Sequence, residues 1–218
     1  MLSYCPVETT QDLDMSNALF VDSMYEGTKI SHISGLTLPQ VVTASMMFCG
    51  CDDLIDARDI NMPNVIYAEG LFRECKNLTS LSNLNIQNAK RIGSMFNRCS
   101  KLESIPKMNV PNATHAGGMF YLCKNLTTVS GLSMPNVTDV SYMFYNCTGL
   151  TTITNFSGLK VSIDFSTCTG LTHDSIMVVI NGLETVTTTQ SLTLGSTNLA
   201  KLTDDEKKIA TDKGWTLK

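Results

Sequence analysis

Cys51, Cys75, Cys99, Cys123 and Cys147 stand 24 residues apart without a slip. Each sits in the same phrase: Met47-Phe48-x-x-Cys51-x-x-Leu54, Leu71-Phe72-x-x-Cys75-x-x-Leu78, Met95-Phe96-x-x-Cys99-x-x-Leu102, with Met119 and Met143 opening two more. A strict period of this length marks one supersecondary unit copied along an axis. No unit can bury its apolar face alone, so each stacks on its neighbours and the domain is elongated. Stacked repeats present a broad surface and seldom a closed pocket, which inclines the reading towards binding.

Full units run 47–70, 71–94, 95–118 and 119–142, a looser one covers 143–164, and Phe165-x-x-Cys168-x-x-Leu171 begins a last. Upstream, Met24-Tyr25 opens a shorter unit, and Leu13 to Ala18 matches Leu84 to Ala89 as a partial turn. The stack is then about seven turns, on the order of 30–35 Å long at roughly 4.8 Å per turn. Within 119–142 the apolar slots are Leu126, Val129, Leu132 and Met134. Leu132-Ser133-Met134 alternates in, out, in, as a short strand does, and Pro135 ends it for want of an N–H. From Val140 to Cys147 the apolar spacing i, i+3, i+4, i+7 predicts a short helix or 3₁₀ turn. Asn64, Asn88, Asn112 and Asn136, with Gln40 in the same slot, are expected to form a structural ladder of amides at the corner after the strand.

After Leu171 the period breaks. Asp174 is expected to cap a helix carrying Ile176, Val179, Ile180 and Leu183 on one face. Ser191 to Leu194 reads as a strand. Thr203-Asp-Asp-Glu206 is a capping box opening a helix to about Lys213, with Gly214 as its stop. Trp215-Thr-Leu217 returns as a strand, and the single Trp is expected to seal the end of the stack.

With 43% hydrophobic residues, 17% charged and a net charge of −4, the chain has ample core and a weakly charged surface. No basic stripe exists to neutralise phosphates, so nucleic acid is not expected as a partner. The longest apolar run, Ile176 to Ile180, is too short to insert across a bilayer. The amino terminus shows no basic n-region and no apolar h-region. The chain as it stands is therefore expected not to be addressed to the secretory pathway: it stays in the cytoplasm, leaves another way, or is a piece of something larger.

The candidate chemical groups mostly have ordinary explanations. Cysteines in parallel register suit disulfides poorly, and without Cys-x-x-Cys pairs or His partners they suit metals poorly too. They read as buried free thiols, leaving Cys5 and Cys49 as the reactive candidates. His32, His115 and His173 fall at different phases and form no shared cluster. Asp52-Asp53 reads as a turn and Asp204-Asp205 as the first turn of a helix. The sequons at Asn77, Asn112, Asn125, Asn136 and Asn146 read as by-products of the repeat. No catalytic residues, no cofactor and no metal site are expected. The binding candidate is the outward strand column Thr37, Asn61, Asn85, Asn109 and Ser133 on the presumed concave face, flanked by Arg58, Asp59, Asn83, Lys107 and Gly131. Polar, uncharged columns suit hydrogen bonding to sugars or to peptide backbone; a plain solvated sheet face is the alternative.

The phrase Asn136-Val-Thr-Asp-Val-Ser-Tyr-Met-Phe-Tyr-Asn-Cys-Thr-Gly-Leu150 resembles the unit of BspA-like leucine-rich repeat surface proteins, including the branch first described as a domain of unknown function in mycoplasma lipoproteins. The resemblance covers about residues 24–171 and brings no catalytic residues. It implies an α/β repeat, a right-handed leucine-rich-repeat-type solenoid, divided into an N-terminal partial repeat (1–23), the solenoid (24–171) and a C-terminal strand-helix-strand cap (172–218). Family members are bacterial surface or adhesion proteins, and related repeats occur in phage and prophage tails. The implied function is a non-catalytic recognition module at a cell surface or on a virion, its partner a host or bacterial surface glycan or protein. The alternative is a structural spacer or assembly protein that touches only its neighbours in a larger particle.

Overall fold

The computed structural model describes residues 2–10 and 13–218. Of the partial repeat expected over 1–23, Met1, Gln11 and Asp12 lie outside the described residues. The apolar slots of the 24-residue phrase point inward: Met47, Phe48, Cys51 and Leu54 are fully buried, and so are their counterparts through Phe120, Cys123 and Leu126. Down the axis runs one file of aromatic rings, Tyr25, Phe48, Phe72, Phe96, Phe120, Phe144 and Phe165. Its centroids lie 4.9–5.8 Å apart and its planes stay within 22° of parallel. The stacking geometry is the offset one that ring quadrupoles favour.

The segment expected to be a short helix or 3₁₀ turn is instead a run of tight turns with left-handed residues. Met143, Tyr145 and Cys147 donate to the carbonyls of Val140, Tyr142 and Phe144, each at 3.1 Å. Tyr142 and Asn146 sit at φ 55° and 60°. Gly118 and Leu122 do the same one unit earlier, as do Ser94 and Arg98, and Gly70 and Glu74, in the units before that. A left-handed residue at every fourth position stops a helix from propagating. It also turns alternate N–H groups outward along the stack, so that Ser94, Phe96 and Arg98 donate to Gly117, Met119 and Tyr121 of the next unit at 2.8–2.9 Å. A helix would have closed those bonds within one unit; here they join units. Left-handed Arg, Leu or Tyr costs on the order of 1 kcal/mol each, and the bonds on both sides hold them there.

On the opposite side lie short parallel strands: β1 (His32–Ser34), β2 (Asp56–Asn61) and β3 (Ser80–Asn85) in one sheet, β4 (Thr128–Ser130) and β5 (Thr152–Thr154) in another. The ladder is in 24-residue register, with Ala57 opposite Leu81 and Val129 opposite Ile153. The expected strand Leu132–Met134 is displaced: β4 precedes it, and Ser133 keeps only isolated bridges to Asn109 and Ser157. Between the two lies a left-handed slot, filled by Gly35, Asp59, Asn83, Gly131 and Asn155 at φ 52–71°. Gly, Asn and Asp enter that region most readily. The unit 95–118 departs from this, with Lys107 at that slot and Pro106 before it. Lys107 has no positive φ, and Pro106 brings no N–H to the ladder. The sheet stops at β3 and resumes at β4, with only the bridges Ser104↔Thr128 and Asn109↔Ser133 between them.

Beyond Leu171 the winding continues although the spacing changes. β6 (Ile163–Asp164), β7 (Gln190–Thr193) and β8 (Trp215–Leu217) form a parallel sheet that aligns Ile163, Leu192 and Leu217. True helices now cross between strands: α1 (His173–Gly182), α2 (Gly195–Leu199) and α3 (Asp204–Asp212). The cap of α1 is Thr172, whose hydroxyl accepts from Ser175 N; Asp174 lies within the first turn. Thr172 and not Asp174 has the extended backbone that an N-cap needs. Thr203 and Glu206 form the reciprocal capping box of α3. Trp215 is buried and donates its indole N–H to Glu184 O at 2.8 Å. Lys213 reaches back so that its ammonium donates to Ile180, Asn181 and Leu183 carbonyls at 3.1, 2.8 and 2.8 Å. A cation on the open carbonyls of a helix end satisfies them and opposes the dipole. Lys213→Met keeps the stem and removes the charge, and is expected to cost about 1–2 kcal/mol in urea unfolding; a loss under a few tenths would show that water replaces the ammonium.

Candidate functional site

The outward strand column exists in register: Thr37 bridges Asn61, Asn61 pairs with Asn85, and Asn109 bridges Ser133. Its members differ in what they leave available. Asn85 Nδ2 donates to Asn61 Oδ1 at 2.7 Å, and Asn83 Nδ2 to Asp59 Oδ1 at 2.6 Å. Ser157 Oγ donates to Ser133 Oγ at 3.2 Å. Those amides and hydroxyls tie one turn to the next. Lys107, Asn109 and Gln87 have no side-chain partner among the described residues, and with Asn83, Asn85 and Pro106 they line a depression of about 340 Å³. It lies where the sheet is interrupted.

Arg58 does not belong to the flanking column. It aligns with Ser34 and Ser82, one position before Asp59 and Asn83. Arg58 and His32 both engage the buried carboxylate of Asp56. The His32 hydrogen bond, then the Arg58 contact, hold that carboxyl below its ordinary range against the opposing effect of burial. This cluster fixes β1 to β2 and is not an open site.

The cysteines are free, and the file from Cys51 to Cys168 is buried. Each thiol from Cys51 to Cys147 donates to the carbonyl of the aromatic residue in the unit before it, Cys99 to Phe72 O at 2.9 Å for example. Burial pushes their acidities far from the thiolate range, Cys123 to about 12. Cys49 is not the reactive thiol that its place outside the file suggested: burial, helped by Glu26, pushes it to about 11. Cys5 is exposed. His173 bonds Glu206 at 2.9 Å between α1 and α3, far in sequence from His32 and His115. Among the sequon asparagines, Asn77 and Asn136 donate to the carbonyls of Asp52 and Pro111; in the amide ladder, Asn64 and Asn88 donate likewise to those of Pro39 and Pro63. Asn112 reaches Asn88 Oδ1 at 3.4 Å. No group of three His, Cys, Asp or Glu side chains among the described residues could hold a metal ion.

On the turn side a second surface appears. A groove of about 360 Å³ runs across several units, walled by Glu69, Arg91, His115 and Asp139, with Gly93 and Gly117 on its floor and Arg73 beside them. Arg91 donates Nε and a terminal nitrogen to Glu69 Oε1 at 3.0 and 2.9 Å. At the Asp139 end the groove joins a hollow of about 320 Å³ lined by Tyr121, Tyr142 and Asn97. Tyr121 stacks on Tyr145 at 5.2 Å, and Tyr142 meets Tyr145 edge-on at 6.1 Å. Tyr142 is 69% exposed.

The family described as "Mycoplasma protein of unknown function, DUF285" matches residues 42–156. The chain belongs to that family. No curated protein matches it. Among solved structures, it is similar to a T. pallidum leucine-rich repeat protein at 17% identity, over 91% of this chain and 84% of that one, with a TM-score of 0.53. A Bacteroides ovatus leucine-rich repeat protein shares 16% identity over 85% of this chain and 54% of its own, with a TM-score of 0.28, too low to bear on the fold. The T. pallidum likeness is one of fold, and with the register above it makes this DUF285 chain a leucine-rich-repeat solenoid.

Sequence reasoning missed the turn-side groove of this DUF285 chain. The signal was present in one slot of the repeat, where Ser45, Glu69, Gly93, Gly117 and Ser141 succeed one another. Two successive glycines there, preceded by Arg91 and His115 where another unit has Asp139, mark units that differ from the rest.

Proposed function

We propose that this chain is a non-catalytic recognition module of a bacterial surface or phage tail structure, binding a cell-envelope glycan or protein. The observation that carries this is the depression at the break between β3 and β4, where Lys107, Asn109 and Gln87 hold hydrogen-bonding groups with no partner among the described residues. Asn83 and Asn85, by contrast, donate to the Asp59 carboxylate and the Asn61 amide one turn away. A sheet edge opened by Pro106, next to unpaired amides and one cation, suits a ligand rich in hydroxyls or peptide groups. The leucine-rich-repeat fold supports the reading, since it presents such faces repeatedly. The same proposal takes the stack as right-handed, of about seven turns, with a partial repeat over 1–23, the solenoid over 24–171 and a cap over 172–218.

The test is labelled protein on intact gut-type bacteria and on an arrayed glycan set, beside a Lys107→Ala, Asn109→Ala variant. Neither side chain bonds a neighbour among the described residues, and only the Lys107 stem rests on Gly131, so the fold should persist while binding weakens by about tenfold or more. Equal binding by the variant would take the site off the strand face. A second reading, a structural spacer, draws on Leu13, Leu19 and Phe20, which are 45%, 48% and 71% exposed near one end of the stack. It expects stable oligomers in light scattering and no cell binding.

A further inference from the structure

Along the slot 45, 69, 93, 117 and 141, the backbone N–H meets a carboxylate at both ends and, among the described residues, no acceptor in between. Ser45 N donates to Asp22 Oδ1 at 2.8 Å, and Ser141 N to Asp139 Oδ1 at 2.9 Å. The bridges Thr43↔Tyr67↔Arg91↔His115↔Asp139, two residues before, set these positions in register. The N–H groups of Glu69, Gly93 and Gly117 donate to no group among the described residues. Gly93 and Gly117 are not at positive φ, so the backbone does not demand glycine there. At Gly117 the lack of a side chain makes room for the Asp139 carboxylate, whose Oδ2 would stand 2.9 Å from a Cβ there, while at Gly93 the nearest group to a Cβ would be Gly117 O at 3.2 Å.

Basic side chains flank these open donors. His115 Nδ1 is engaged by Thr114 Oγ1 at 2.9 Å, and its Nε2 has no partner among the described residues. Arg91 keeps one terminal nitrogen clear of its pair with Glu69. Arg73, in the same wall, pairs with Glu74 at 3.4 Å and keeps a buried Nε with no partner among the described residues. Backbone N–H groups beside guanidinium and imidazole form an oxyanion site. Two units of this chain show which anion fits, because there the same N–H holds a carboxylate.

The geometry points to a second binding site in this groove for a carboxylate-bearing saccharide. Its carboxylate accepts from the Gly93 N–H between Arg91 and His115, clear of the Asp139 carboxylate that covers Gly117, and a sugar ring lies against Tyr142 and Tyr121. A saccharide is favoured over an acidic peptide by the tyrosines at the groove's end, since an exposed aromatic face beside a polar trough complements a ring with one C–H face and polar edges. Glu69 and Asp139 are built-in competitors: Glu69 holds Arg91 by the contacts a ligand carboxylate would use, and Asp139 stands over Gly117. The site is independent of the strand-face depression, and either can fail without the other.

The experiment is calorimetric titration of the full chain with tetragalacturonate, its methyl ester and poly-L-glutamate. Arg91→Gln, Glu69→Gln and the Lys107→Ala, Asn109→Ala variant run beside the parent, each checked for an unchanged thermal midpoint. The parent should bind tetragalacturonate and not the ester. Arg91→Gln should weaken binding about tenfold or more, Glu69→Gln should tighten it, and the strand-face variant should leave it unchanged. No binding of tetragalacturonate, equal binding of the ester, or indifference to both groove substitutions overturns the site. Poly-L-glutamate bound in place of tetragalacturonate overturns the saccharide assignment.

Discussion

Phe96→Ala is expected to lower stability by about 3–5 kcal/mol. Phe96 is fully buried at the middle of the aromatic file, with Phe72 at 5.8 Å on one face and Phe120 at 5.6 Å on the other, both within 5° of parallel. Truncation removes the apolar burial and both ring contacts, each worth about 0.5–1.5 kcal/mol beyond area. The cavity cannot collapse easily, because Phe96 N is bonded to Met119 O and its carbonyl receives the Cys99 N–H and the Cys123 thiol. The backbone around the hole is held by the units on either side.

In a domain stable by about 5–15 kcal/mol that loss is a large fraction, and in a stack of nearest-neighbour interfaces it is not shared evenly. Amides on either side of the hole, such as those of Phe72 and Arg98, should lose protection first, while those of α1 and β7 keep theirs longer. Urea unfolding gives the total and hydrogen exchange the distribution. A loss below about 1.5 kcal/mol would mean that the file is filler around a core held elsewhere. A uniform fall in protection would mean that the stack unfolds as one unit.

The inner half of each unit was legible because burial constrains identity: a slot such as Phe48 or Cys51 faces only neighbouring units, so it repeats. The outer half was less legible for physical reasons. Apolar spacing over Val140 to Cys147 is the same for a helix and for tight turns. The residues that decide between them, Tyr142 in one unit and Leu122 in another, carry no left-handed signature. Gly70 and Gly118 in the first of these slots, and Gly27 and Gly50 in the second, did carry one. The strand break could be read from Pro106 and Lys107 once the left-handed slot was known. The polar column was legible as a column, but which of its amides are free depends on partners a turn away, and Asn85 and Asn109 look alike in sequence. The open N–H groups of Gly93 and Gly117 are further removed still, since a missing partner leaves no mark on the residue that lacks it.

Gly182→Ala is the substitution expected to separate the terminal helices from the solenoid. Gly182 ends α1 without a positive φ, so its need for glycine is not conformational. A Cβ there would stand 1.9 Å from Phe156 O, 2.9 Å from its carbon and 3.2 Å from Ser157 Cα, all backbone. The contact cannot be relieved by a rotamer change. Either α1 withdraws or the 156–158 segment does, and that segment bears the bonds Ser157 N to Leu132 O and Gly158 N to Gly182 O. Overpacking against movable side chains costs about 1–3 kcal/mol, and against fixed backbone the expectation is the upper end or beyond. Withdrawal of α1 would also carry away the carbonyls that hold Lys213 and uncover Trp215, which bonds Glu184 just past the helix. Tryptophan emission should therefore shift to the red at denaturant concentrations where the ring file around Phe96 still protects its amides. If emission and amide protection were lost together at an unchanged midpoint, the close approach of α1 to Phe156 would not be what fastens the end of the chain.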